Sequence, residues 1–141
     1  MNRQDVKTAK VSRTEPRTDL DGIAYRVIGA ALEVHRILGP GFLESIYEEA
    51  LCIELTRLGM EFTRQVPISV RYRDQKVGEA RLDLLVGNLL VVELKAVECL
   101  APIHVAQIMS YLKATGLRLG LLITFNVPVL RKGIRRVICS P

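Results

Sequence analysis

From Arg81 to Ala96 the chain reads Arg-Leu-Asp-Leu-Leu-Val-Gly-Asn-Leu-Leu-Val-Val-Glu-Leu-Lys-Ala. Asp83, Glu93 and Lys95 have the residue types and spacing that chemistry at an anionic substrate needs. Side chains alternate across a strand, so parity sorts them. The even positions Leu82, Leu84, Val86, Leu90, Val92, Leu94 and Ala96 are all apolar, whereas the odd positions include Arg81, Asp83, Glu93 and Lys95. If the even set is the core face, all four charges lie on the other face. Strands that keep this facing must pair residues of equal parity. A three-residue loop, 87–89, pairs Val86 with Leu90 and sets Asp83 opposite Glu93. The two-residue turn that Gly87-Asn88 favours would break the facing, and a bulge would restore it.

Two carboxylates in that register have Cβ atoms about 5 Å apart. They repel, and one takes up a proton unless a cation intervenes. Mg²⁺, or Mn²⁺ in its place, suits carboxylate and water oxygens, with open positions left to substrate phosphates. Lys95 would then orient or help deprotonate a metal-bound water and stabilise charge developing on phosphorus. The plainer reading is a surface strand with Arg81–Glu93 and Asp83–Lys95 ion pairs, each worth about 0–1 kcal/mol.

The surrounding pattern says what positions these residues. Residues 1–18 have no hydrophobic period and read as a basic, flexible tail, and 19–141 as a single domain. Ile23, Val27, Ala30, Ala31, Val34 and Leu38 recur at helical spacing, with Asp19 or Asp21 as cap and Gly39-Pro40-Gly41 as a stop. Leu43, Ile46, Tyr47, Ala50, Leu51, Ile53 and Leu55 predict the apolar stripe of a second helix ending at Gly59, with Glu48, Glu49 and Glu54 largely on its other side. The period changes to two over 61–73 and 77–86, and again after Gly87-Asn88. Pro102 suits the first turn of a helix running to Thr115 before Gly116. Residues 119–125 read as a strand buried on both faces, and the basic end 131–138 as a helical turn and a short strand. The order is α-α-β-β-β-α-β, a mixed α/β domain.

The chain has 141 residues, 49% of them apolar, so it can bury a substantial core. No apolar run approaches the length of a membrane-spanning helix. The net charge of +5 is uneven, with +3 in residues 1–18, so charge alone argues weakly for nucleic acid. Trp is absent and aromatics are 5% of the chain, which disfavours a base-stacking platform. The three cysteines, Cys52, Cys99 and Cys139, lack metal-ligand spacing and fit small buried or half-buried residues in a reducing cytoplasm.

Asp83…Glu93-Leu-Lys95, on a strand following a hairpin, resembles the PD-(D/E)XK nuclease superfamily. Gly41-Phe-Leu-Glu44-Ser-Ile-Tyr47 is similar to the signature of the GxxExxY proteins, small prokaryotic proteins assigned to that superfamily. Glu33-Val-His35-Arg36, Leu38-Gly-Pro-Gly41, Gln65-Val-Pro67, Val92-Glu-Leu-Lys-Ala-Val97 and Phe125-Asn-Val-Pro128 extend the likeness over about residues 20–138. Leu82 stands where the superfamily name has proline, a departure many members share. The resemblance implies a restriction-endonuclease-like core, a mixed central sheet flanked by helices. It implies Asp83 and Glu93 as metal ligands, Glu44 as a helix glutamate adding a ligand or water contact, Lys95 as the catalytic lysine and Gln107 as the glutamine of the following helix. Tyr111, one turn on, would line the same cleft.

These residues also have uncatalytic readings. Glu44 in a first helical turn favours the dipole, as does His35 near a C-terminus, although His35 is also a candidate for substrate phosphate. Tyr47 fits the core better than a site. His104, Gln107 and Tyr111 share one helix face, ordinarily a solvated one. Arg131, Lys132, Arg135 and Arg136 suit either a solvated face or a phosphodiester backbone. The expected function is a Mg²⁺- or Mn²⁺-dependent phosphodiester hydrolase using metal-bound water on DNA, ahead of RNA. The alternatives are a non-catalytic nucleic-acid- or protein-binding module on the same fold, and a self-associating homodimer.

Overall fold

Asp19 opens the first helix, its Oδ1 accepting from the Gly22 N–H at 2.6 Å. The computed structural model describes residues 19–140, so the expected basic tail, 1–18, lies outside the described residues. Helix α1 spans Leu20–Leu38 and α2 Glu44–Arg57. A long hairpin follows, β1 (Phe62–Tyr72) and β2 (Gln75–Val86), then β3 (Leu90–Lys95). Helix α3 runs Pro102–Thr115, with proline in its first turn and Gly116 in the left-handed conformation as its cap. Strand β4 (Leu119–Thr124), a 3₁₀ turn (Leu130–Gly133) and β5 (Ile134–Ile138) complete the described chain.

The strands form one mixed sheet in the order β1-β2-β3-β4-β5. All neighbours are antiparallel except β3 and β4, which run parallel because α3 carries the chain across. Every residue of β4 is buried, as a strand covered on both faces requires. On one face α1 and α2 pack Val27, Ala31, Tyr47, Leu51 and Leu55 against Leu84, Val86, Val92, Leu94, Leu121 and Ile123. On the other, Ile108 and Leu112 of α3 pack against Leu82, Val91, Leu122 and Val137. No helix among the described residues is long and apolar enough to cross a membrane.

The hairpin register is the expected one, with Val86 paired to Leu90 and Leu84 to Val92. Both competing devices are present. Gly87 and Asn88 each have positive φ (61° and 58°) and the Leu89 N–H donates to the Val86 carbonyl at 3.1 Å, closing a tight two-residue turn. Leu89 is then the extra residue that restores parity, as in a bulge.

Four expectations need correction. Leu82 joins the cluster under α3, whereas Leu84 and Val86 face α1 and α2, so alternation breaks between them. The face opposite the even residues is covered by α3, and the charges do not lie on an open sheet surface. In α2 the buried stripe is Tyr47, Glu48, Leu51, Cys52 and Leu55; Leu43, Ile46 and Ile53 are exposed. Cys99 is exposed, while Cys52 is buried and Cys139 half-buried.

Candidate active site

The backbone ladder between β2 and β3 runs from Val86–Leu90 to Leu84–Val92. Beyond it, the two candidate carboxylates replace strand-to-strand bonds. The Asp83 N–H donates to Glu93 Oε2 at 2.9 Å, and the Leu94 N–H donates to Asp83 Oδ2 at 2.8 Å. Each side chain thus binds the other strand's backbone, which brings the two acids together where the sheet opens. Glu93 is 4% exposed, and Asp83 is half-buried.

Lys95 ends β3, and its Nζ donates to Gln107 Oε1 of α3 at 2.9 Å. The Phe125 N–H donates to the Lys95 carbonyl at 3.1 Å. Thr124 Oγ1 accepts from the Val97 N–H at 3.0 Å and donates to the Val97 carbonyl. The end of β4 therefore pins the chain immediately after the lysine.

Glu44 stands exposed in the first turn of α2, near enough to Asp83 and Lys95 to feel their charges. Its approach is set by the Gly39-Pro40-Gly41 connection, where Gly39 and Gly41 have φ of 69° and 111°. The buried Tyr47 ties this connection down. Its hydroxyl donates to the Gly39 carbonyl at 2.6 Å and accepts from the Phe42 N–H at 3.1 Å. Its ring stacks on Phe125, 4.5 Å between centroids and 5° between planes. Glycine, glutamate and tyrosine of the motif thus have separate jobs: a bend, a carboxylate, and the anchor for both.

Electrostatics joins the three acids. Burial, and then the Asp83 carboxylate, push Glu93 up to about 8, against opposing hydrogen-bonding and the Lys95 charge. Burial above all raises Asp83, which also feels Glu48 and is held down by its Leu94 N–H bond, Lys95 and Gln65. Glu44 is raised by burial and then by Asp83, with Lys95 pulling it down. Tyr111 is raised by burial, then by Glu93 and Asp83, while its contact with Gln107 opposes them. Asp83, Glu93, Glu44, Lys95, Gln107 and Tyr111 are accordingly one electrostatic unit drawn from α2, β2, β3 and α3.

A model of the PD-(D/E)XK nuclease superfamily matches residues 21–137, nearly all of the described chain and every residue of this unit. The chain belongs to the PD-(D/E)XK nuclease superfamily. No curated protein and no solved structure matches it. Its five-stranded mixed sheet between three helices is a restriction-endonuclease-like fold, and the superfamily is one of nuclease-type phosphodiester hydrolases.

In this PD-(D/E)XK chain the other sequence candidates have contacts of their own. His35 Nε2 bonds the Val127 carbonyl at 2.7 Å, tying α1 to the segment after β4. His104 Nδ1 accepts from the Ala101 N–H at 2.9 Å, a helix-start contact. The basic end does not form one patch. Arg131 lines a cavity with α1 and α2 residues, and Arg136 pairs with Asp21 at 3.0 Å. Lys132 and Arg135 line a cavity of about 370 Å³ with Glu98, Cys99 and Thr124, just beyond the lysine strand.

Sequence reading missed Glu48 and Gln65. Glu48 is buried and accepts from Gln65 Nε2 at 3.0 Å and from Arg64 Nε at 3.0 Å. The signal was present in the spacing, because residues 44 and 48 stand one above the other on a helix.

Proposed function

We propose that this protein hydrolyses phosphodiester bonds of DNA, ahead of RNA, with a divalent cation, Mg²⁺ or Mn²⁺, held by Asp83, Glu93 and Glu44. The observation that carries this reading is that Asp83 and Glu93 each bond the other's strand, Asp83 at the residue before Lys95, and that the Lys95 ammonium is itself fixed by Gln107. The donor set fits such a cation. It offers hard carboxylate oxygens, each acid raised by burial and Glu93 and Glu44 also by Asp83, and a divalent charge would relieve that penalty. Among the described residues no group of three or more acid, histidine or cysteine side chains is placed to hold a metal ion by itself. An open set agrees with the preference of Mg²⁺ for one or two carboxylates, several waters and substrate phosphates.

A bound cation would polarise a phosphoryl oxygen and lower the pKa of water. The chain's own residues do the rest. Lys95 sets a fixed positive charge beside the carboxylates, where negative charge grows on phosphorus and where a water proton needs steering. Gln107 holds the ammonium through its Oε1 and keeps it from collapsing onto a single carboxylate. Tyr111 and Glu44 line the approach from α3 and α2. The preference for DNA is supported by the motif likeness alone.

The test is a cleavage screen over single-stranded, double-stranded and branched DNA and over RNA, paired with calorimetric Mg²⁺ and Mn²⁺ titration. Cation-dependent cleavage is expected in the wild type. Lys95→Ala should reduce cleavage by about 10²–10⁴-fold with cation binding kept, whereas Asp83→Ala should lose both. If the wild type shows neither cleavage nor cation binding, with or without DNA, the enzymatic reading fails and the fold remains.

A further inference from the structure

Among the described residues, four non-glycine residues have positive φ: Gln65, Arg73, Asp74 and Asn88. The last three sit in the turns that end the hairpin strands. Gln65, at 52°, sits inside β1, where such a conformation is strained and needs a cause.

Glu48 supplies the cause. In a regular strand, consecutive side chains point to opposite faces. Arg64 and Gln65 nevertheless both reach this one buried carboxylate, Arg64 through Oε2 and Gln65 through Oε1. The unusual φ is what swings the Gln65 side chain onto the Arg64 side. Arg81 steadies the other end of the residue, its Nη1 donating to the Gln65 carbonyl at 3.1 Å.

The swing happens at a particular level of the sheet. Arg64 pairs with Leu84 and Val66 with Leu82, so Gln65 stands opposite Asp83. This is also where β2 changes which core its leucines face. Residues directly opposite across two antiparallel strands have Cβ atoms about 4.5–5.5 Å apart, so the Gln65 side chain stands within reach of the Asp83 carboxyl. A glutamine amide nitrogen carries two N–H groups and no lone pair for a carboxylate to repel. One N–H is committed to Glu48, which leaves the other to turn toward Asp83.

We propose that Gln65 is a positioning residue for the Asp83 carboxylate, held in place by the buried Glu48, and that it tunes divalent-cation affinity without touching the cation. This rests on the cation reading proposed above. Supporting partners of ligating carboxylates commonly change metal affinity by about 10–100-fold when removed.

Gln65→Gly deletes the amide while accepting the positive φ, and Gln65→Asn, whose side chain also tolerates that conformation, keeps an amide too short to span both acids. Each variant and the wild type would be titrated with Mn²⁺ by calorimetry, alone and with a short DNA duplex, and melted in parallel. The expected result is Mn²⁺ binding weaker by about 10–100-fold in Gln65→Gly and weakened in Gln65→Asn. Wild-type affinity in either folded variant, even with a lowered melting temperature, would reduce Gln65 to a brace between β1 and α2 and overturn the proposal, leaving the cation site intact. No Mn²⁺ binding by the wild type in either titration overturns both readings together.

Discussion

Glu93 ties the chemistry of the site to the stability of the fold. Its carboxyl is raised from about 4.5 to about 8, first by burial and then by Asp83. Below pH about 4.5 both the folded and the unfolded chain hold the proton, and this group costs the fold nothing. As pH rises the unfolded chain releases the proton while the folded one keeps it, so stability falls until the pH passes about 8. The expected loss is on the order of a few kcal/mol. Calorimetric melting of chelator-treated protein from pH 5 to 8.5 should show this decline, and Glu93→Gln should flatten it. Added Mn²⁺ should restore stability most strongly at the alkaline end. A slope that survives in Glu93→Gln would assign the pH dependence to other groups.

At the level of elements, the connection between α1 and α2 decides where Glu44 stands, and Tyr47 decides the connection. Tyr47→Phe keeps the stacking on Phe125 but leaves the Gly39 carbonyl and the Phe42 N–H without the hydroxyl. The expected cost is about 1–3 kcal/mol. Chemical denaturation should reveal it, with cleavage falling further than stability alone explains because Glu44 loses its fixed approach. Much of this layout was legible in the chain. Pro102 and Gly116 bounded α3, and equal parity of paired residues led to Val86 opposite Leu90 and Leu84 opposite Val92. Tyr47 fell on an apolar stripe and is indeed buried. What was not legible depends on distant partners. Glu48 reads as a solvated acid until Arg64 and Gln65 are brought over it by β1. Leu82 reads as a companion of Leu84 until the irregularity at Gln65 and Asp83 turns it toward α3. Local period carries no record of a strand whose alternation is broken by a contact with a helix.

Across the molecule, the four cations of the basic end serve three places, and Lys132 and Arg135 are the pair that lines the cavity by the segment following Lys95. If these two touch phosphates, Lys132→Ala and Arg135→Ala should each weaken DNA binding evenly across sequences. Each should also lower the slope of log affinity against log salt by about 1, as measured in chelator without cleavage. Arg136→Ala, which removes a pairing with Asp21, should leave that slope unchanged. The parallel pairing of β3 with β4 has a kinetic consequence as well. Hairpins β1–β2 and β2–β3 need only nearby residues, but Lys95 is secured from behind by Thr124 and Phe125 and from the side by Gln107. Closing that long-range contact is the slow kind of step in folding. During synthesis, when the chain emerges from its N-terminal end, the acids of β2 and β3 are made well before β4 exists to hold the lysine in register. The proposed cutting centre, assembled this way, would stay inert in the nascent chain and mature only after the crossover has docked.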